Sequence, residues 1–467
     1  MRTKAPPAAL IDGPIGPALV RLSVPMLVGI LSMMAFSVVD TYFVSRLGTL
    51  ALAAMALTFP VVMVIGTFTL GLGVGAMAVI SQGIGRGRTT DIRRSATDAL
   101  TLAGVCAVVL TVAGTASVEP LFRVLGATDE MMPYVRQYML VWYPGIVFYV
   151  VPIIGNNIIR ATGDTLTPSI VMVLGVILNA ILDPIFIFGG GPIPAMGMAG
   201  AALATVLSRA VTLALALWVL AFREQLLVSP WPGRRILMAS WKDLLRLGLP
   251  VAVSNAIIPI AVGLLTRIVS DFGAGTLAGF GVANRIEGFG MAMVYAVSSG
   301  VSPFVGQNFG AGRLDRIQRG LNMVRVFCLV WGGMLFVAFL IAGKPLARCF
   351  NDEPTVLEAA TLYLWIVSVS LGLRSIHQVV WTSLNVLNRP YDAMALEMLL
   401  AFGLWIPLAS LGAKVAQIKG LYIGLALANV LAGAAACIWV DRVIRQRQNQ
   451  CNRGPNDDVR PQTDEDL

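Results

Sequence analysis

Long apolar runs recur along the chain, and short polar or Gly/Pro-rich stretches separate them. They fall at about 18–44, 52–79, 96–118, 134–159, 166–189 and 197–221, then 245–269, 275–304, 319–343, 357–386, 392–412 and 420–441. A helix needs roughly 20 apolar residues to cross a bilayer, so each run is predicted to be one span. The fold class expected is an all-α integral membrane protein with twelve transmembrane helices. Glycine and proline inside several runs do not argue against this, because neighbouring helices re-satisfy the freed backbone groups.

Composition sharpens the picture. The chain has 467 residues, 57% hydrophobic and only 13% charged, where soluble domains carry about 25% charged residues. A soluble multidomain enzyme, a disordered chain and a coiled coil are excluded. The net charge of +9 would suit a nucleic-acid partner, but the positions of the charges explain it better. Arg2, Lys4, Arg21, Arg86, Arg88, Arg93, Arg94, Arg160 and the cluster from Arg223 to Arg246 fall on one side. Arg313, Arg316, Arg319, Arg389 and the basic tail from Arg442 to Arg460 join them. The other side receives Arg46, Arg123, Arg136, Lys344, Arg348, Lys414 and Lys419. Lys and Arg favour cytoplasmic loops, so both termini are expected in the cytoplasm, in a bacterial-type inner membrane, with no nucleic-acid partner. The residues before 15 lack a cleavable signal pattern, and the tail after Arg442 reads as disordered.

The second half repeats the first at an offset of 225. Arg21, Pro25, Gly48 and Leu52 match Arg246, Pro250, Gly273 and Leu277; Gln82, Gly85, Gly87 and Arg88 match Gln307, Gly310, Gly312 and Arg313. Arg160 to Gly163 falls on Asn385 to Asn388. Six spans per half is an even number, so both halves enter from the same side as parallel repeats. Two such bundles with a site between them are a transporter architecture. The domains expected are an N-terminal segment (1–17), an N-lobe (18–221), a cytoplasmic linker (222–244), a C-lobe (245–441) and a polar tail (442–467).

Where the repeat breaks, chemistry is expected. Asp40 falls on Leu265, Asn179 on Leu404 and Asp183 on Leu408. Ionisable residues inside a span are expensive and mark function. Asn179 and Asp183 share a helical face at i, i+4. Two other readings remain open: Asp40 pairing with Arg46 at the interface, and Asp183 with Pro184 as a helix break.

Several motifs resemble the multidrug and toxic compound extrusion (MATE) family. They are Val38-Val39-Asp40-Thr41, Gly155-Asn156-Asn157, Arg160-Ala161-Thr162-Gly163-Asp164, Asn179-Ala180-Ile181-Leu182-Asp183-Pro184, Gly200 to Thr205 and Val305 to Gly312. The resemblance covers about residues 15–445. It implies two pseudo-symmetric six-helix lobes around a central V-shaped cleft, and export of organic, cationic amphipathic compounds in exchange for H+ or Na+. It also implies that Asp40, Asn179, Asp183 and Thr205 form the cation or proton site, a set of oxygens that suits Na+. Thr205 depends on the length of the Gly189–Pro194 loop.

The C-lobe departs from the acidic site that some members carry, since Asn255 offers no acid and Glu358 is the only one on the tenth span. Arg285 with Glu287 and Arg267 with Asp271 read as structural ion pairs. Met33, Arg374 and His377 are candidate cleft residues, with packing as the alternative for the last two. No P-loop, HExxH, GxSxG or CxxC pattern occurs, and the chain has one histidine and five cysteines. No enzymatic activity and no cofactor are therefore expected beyond the coupling ion. The partners expected are small organic solutes and membrane lipids, with the protein as a monomer. A lipid-linked glycan flippase is the alternative function.

Overall fold

The computed structural model describes residues 10–231 and 233–452. The first nine residues of the expected N-terminal segment, and residues 453–467 of the tail, lie outside the described residues. Among the described residues the regular structure is helical, joined by turns and short loops, with one bridge between Gly190 and Ile193.

The first lobe contains α1 (Ile15–Ser45), α2 (Thr49–Gly85) and α3 (Thr89–Val124). It continues with α4 (Met132–Trp142 and Ile146–Ala161), α5 (Leu166–Phe188) and α6 (Gly197–Arg223). The two arms of α4 meet at 51°, where Pro144 supplies no N–H and Gly145 packs against Val206. The second lobe contains α7 (Arg234–Ser270), α8 (Ala274–Gly310), α9 (Leu314–Arg348) and α10 (Pro354–Val386). A continuous helical stretch, Pro390–Gln450, follows. Its backbone leaves the helical region at Ala416 and Gln417 (φ 55°), so it divides into α11 (390–415) and α12 (418–452). Gly412 and Gly420 face each other there, and a Cβ on either would run into the other's carbonyl. The twelve spans expected from the hydropathy pattern are thus present, one of them bent and two joined by a very tight reversal.

Two boundaries differ from expectation. The polar linker was expected to reach residue 244, but α7 begins at Arg234. Residues 236–239 form a short apolar run between Arg234-Arg235 and Lys242, and Leu237 and Leu244 are buried. The Trp241 indole donates to the Asp98 carbonyl of α3 at 3.1 Å. Arg93, Arg94 and Thr97 of α3 hold the preceding stretch through Gln225, Ser229 and Val228. The second difference is α12, which stays helical past residue 442 to 452.

The lobes meet at the end of the bundle that carries the termini. Gly71 and Gly75 of α2 let α7 approach at Ala252 and Gly248, and Gly300 of α8 lets α1 approach at Leu22 and Ser23. Small residues of this kind allow close helix contact in membranes. The repeat then crosses over. Gln82 of α2 donates to the Val386 carbonyl at 2.7 Å, and its counterpart Gln307 of α8 donates to the Ala161 carbonyl at 2.9 Å. Ala161 ends α4 and Val386 ends α10. A helix end leaves its last carbonyls without internal partners, so each lobe caps a helix of the other. Gly163 (φ 96°) and Asn388 (φ 59°) turn the chain out of those two helices in the left-handed region. Asn388 also exchanges hydrogen bonds with Gln82. The N-terminal strap closes over this junction: Leu10 is buried, and its carbonyl accepts from Asn308 at 3.0 Å. Apolar side chains along the spans, such as Phe59, Val64 and Ile260, are exposed.

Candidate ion-coupling site

Asp40 lies in the far half of α1 and is 6% exposed. α1 packs closely on α5 because Gly29 leaves room for Ser169 and Met172. Asn179 and Asp183 lie on the buried face of α5, and Asp183 is 0% exposed. The i, i+4 spacing does what the sequence suggests: the Asn179 amide donates to Asp183 Oδ1 at 3.0 Å. Arg46 does not pair with Asp40. Its guanidinium turns to the Tyr42 hydroxyl at 2.7 Å and stacks over that ring.

The α5–α6 connection decides whether Thr205 joins. Gly189 adopts φ 85°, and Gly190 and Ile193 exchange two backbone hydrogen bonds of 3.1 Å. Met196 N–H then returns to the Phe186 carbonyl at 3.0 Å. Gly200 permits the start of α6 to lie against Phe186, where a Cβ would clash with that carbonyl. This tight hairpin carries Thr205, also buried, to the level of Asp183.

Four oxygens in this region are buried without a hydrogen-bond partner: Asp40 Oδ1, Asn179 Oδ1, Asp183 Oδ2 and Thr205 Oγ1. Burying a polar group unpaired is costly, so the four together mark a candidate site. Two carboxylates, an amide oxygen and a hydroxyl suit a hard monovalent cation or a proton. The two carboxylates are close enough to act on one another electrostatically. Tyr138 of α4, buried, faces both acids and Thr205. The sequence reading missed it, because a tyrosine in a membrane span gives no signal apart from its neighbours in space.

The other candidates separate. Met33 is exposed and lines a small cavity of about 60 Å³ with Phe36, Asn156 and Arg209. Arg209 stacks over Phe36 and Tyr149 at 5.1 and 5.5 Å. Arg374 and His377, named as cleft candidates, are both buried inside the C-lobe. Arg374 lies over Trp405 and approaches His377 Nδ1 at 3.3 Å, and His377 Nε2 meets the Leu396 carbonyl at 3.3 Å. The packing alternative fits these two, since their partners are internal.

The ion pair expected between Arg285 and Glu287 is not formed. Glu287 accepts from the Tyr363 hydroxyl at 2.6 Å, because α8 turns residue 287 toward α10 while Arg285 stays exposed. Arg267 and Asp271 do pair, at 3.3 Å. Glu397 of α11 is a buried acid that the sequence reading passed over. Its signal was a single carboxylate inside an apolar run.

A two-lobed bundle of twelve apolar spans is an architecture of membrane transporters. The MatE family model matches residues 25–185 and again 250–411, once in each lobe, and the chain belongs to the MATE family. A relative from Shewanella oneidensis called an FAD transporter is 34% identical over 93% of this chain and 96% of its own length. A probable multidrug resistance protein NorM from Thermotoga maritima is 26% identical over 87% of this chain and 88% of its own. The structure of the Vibrio cholerae MATE transporter VcmN in the bent form superposes with a TM-score of 0.89 at 29% identity, covering 93% of this chain and 98% of that one.

Proposed function

We propose that this MATE protein is a secondary active antiporter that moves an organic solute out of the cytoplasm in exchange for H+ or Na+. The observation that carries this reading is the convergence of four unpartnered oxygens from Asp40, Asn179, Asp183 and Thr205. Loading them changes the charge inside one lobe, and an ion that binds one cleft state better than the other shifts the balance between them. A proton is the simpler guest, because one carboxylate suffices to take it. The protein works as a monomer in the inner membrane with both termini cytoplasmic, which accords with the asymmetry of its basic loops.

The substrate class we favour is an anionic aromatic compound of the FAD kind. The relative named an FAD transporter supports this, and so does Arg285. That residue is exposed about a third of the way along α8. A side chain at Gly288, one turn on, would meet Met34 of α1 at 3.9 Å, so this face of α8 looks across to the other lobe. An unpaired arginine at that depth belongs on a water-filled cavity rather than in lipid, and it would meet the phosphates of a dinucleotide. Export of cationic amphipaths is the second reading, favoured by the multidrug names of other relatives. Lipid-linked glycan flipping is the third outcome to test.

The experiment is efflux from proteoliposomes under an imposed pH or Na+ gradient, with FAD, a cationic dye and a labelled lipid-linked glycan as parallel solutes. Gradient-driven FAD efflux that Asp40→Asn abolishes is expected. Wild-type efflux by Asp40→Asn refutes the coupling site, and dye or glycan movement without FAD movement refutes the substrate class.

A further inference from the structure

We propose that a groove at the end of the C-lobe away from the termini binds a phosphate-bearing anion, at a site separate from the transport cleft. The groove has a volume of about 780 Å³ and lies where α9, α10 and α12 converge. Lys344 and Arg348 line it from α9, one turn apart and hence on one face. Lys419 lines it from the start of α12, where the reversal at Ala416 and Gln417 places it. Asp352 and Glu358 also line it, so three cations face two carboxylates. None of the three cations forms an ion pair among the described residues.

Two further features point to an anion. α10 opens on the groove with Pro354 in its first turn, and a helix N-terminus presents unpaired N–H groups and a positive dipole end. Deeper in, Thr361 lines the groove at 7% exposure, and its Oγ1 is buried with no partner among the described residues. A hydroxyl left unpaired in this way is satisfied by a ligand oxygen. The remaining wall is Leu362 and Trp365, the latter partly exposed. A tryptophan beside lysines and arginines at the end of a span matches the headgroup level of a bilayer. The shared chemistry is a phosphate group held by Lys344, Arg348, Lys419 and Thr361. An anionic phospholipid would add acyl chains along Trp365; a free phosphate would use the polar donors alone.

The test uses the full chain in nanodiscs. In one arm, phosphatidylglycerol is titrated into phosphatidylcholine discs, and lipid retained after mild delipidation is counted by native mass spectrometry. In the other, inorganic phosphate is titrated into pure phosphatidylcholine discs by calorimetry. Retained phosphatidylglycerol that falls at least tenfold in the K344Q/R348Q/K419Q variant, and about threefold in Thr361→Val, supports a lipid site. Phosphate heat that vanishes in the same variants, without lipid retention, supports a free-phosphate site. Equal retention by wild type and triple variant, with no phosphate heat from either, overturns the proposal. If the triple variant does not fold, Glu358→Gln decides: losing one carboxylate should raise retention or phosphate affinity severalfold, and no change in either overturns it.

Discussion

The crossed glutamines predict how the two cleft states are balanced. Gln307→Ala removes one hydrogen bond, the 2.9 Å contact to Ala161, and no second one, because its Oε1 has no partner. In the present state the Ala161 carbonyl would then be buried and unpaired, whereas a state with the lobes parted at this end would expose it to water. Leaving a buried acceptor unsatisfied costs about 1–3 kcal/mol, which corresponds to a shift of about 5- to 150-fold in the ratio of the two states. Gln82→Ala removes more: the contacts to Val386 and Asn388, and the one Asn388 returns. Its shift should therefore be the larger of the two. The assay is electron–electron double resonance in nanodiscs, with spin labels at exposed Arg88 and Arg313 in the α2–α3 and α8–α9 turns. The population with the longer distance should grow in the order wild type, Gln307→Ala, Gln82→Ala. Unchanged distance distributions in both variants, or a larger effect from Gln307→Ala, would refute the reasoning.

Three other predictions can be checked directly. Asn179→Leu removes the hydrogen bond to the buried Asp183, so stability should fall by about 1–3 kcal/mol and ion-driven efflux should be lost; retained coupling would exclude Asn179 from the site. Arg285→Gln should raise the KM for FAD about tenfold, the loss of one charged contact, with little change in kcat, and a change confined to kcat would contradict substrate contact. Arg94→Ala leaves the fully buried Asp98 without its cation, which costs about 3 kcal/mol. Its melting temperature in detergent should fall clearly, while Arg88→Ala, which breaks an exposed pair with Asp91, should leave it unmoved.

Much of the candidate site was legible because the repeat supplied an internal comparison. Asp40, Asn179 and Asp183 stood out against leucines in the other half, and all three are buried. Matched positions proved informative too: Gln82 and Gln307, alike in both halves, turn out to serve the joint between lobes. Tyr138 was not legible, since it breaks no pattern that one sequence can display; Glu397 was legible as a lone carboxylate in an apolar run, and was passed over. For Arg374 and His377 the sequence left cleft lining and packing open, for a related reason. Helical spacing says which residues share a face, but not whether that face meets a cleft or another helix.

By itself, then, the sequence determined the twelve spans, their pairing into two parallel halves and the acids worth testing. These follow from local quantities: the apolar length needed to cross a bilayer and the cost of a charge within it. Only the tertiary structure decided that the halves cap each other's helices, that the α5–α6 hairpin brings Thr205 toward Asp183, and that three basic residues from two helices line one groove. Each of these depends on backbone direction at a few turns, at Gly189, Asn388 and Gln417. There the positive φ fixes the angle between spans, which no periodicity along the chain encodes.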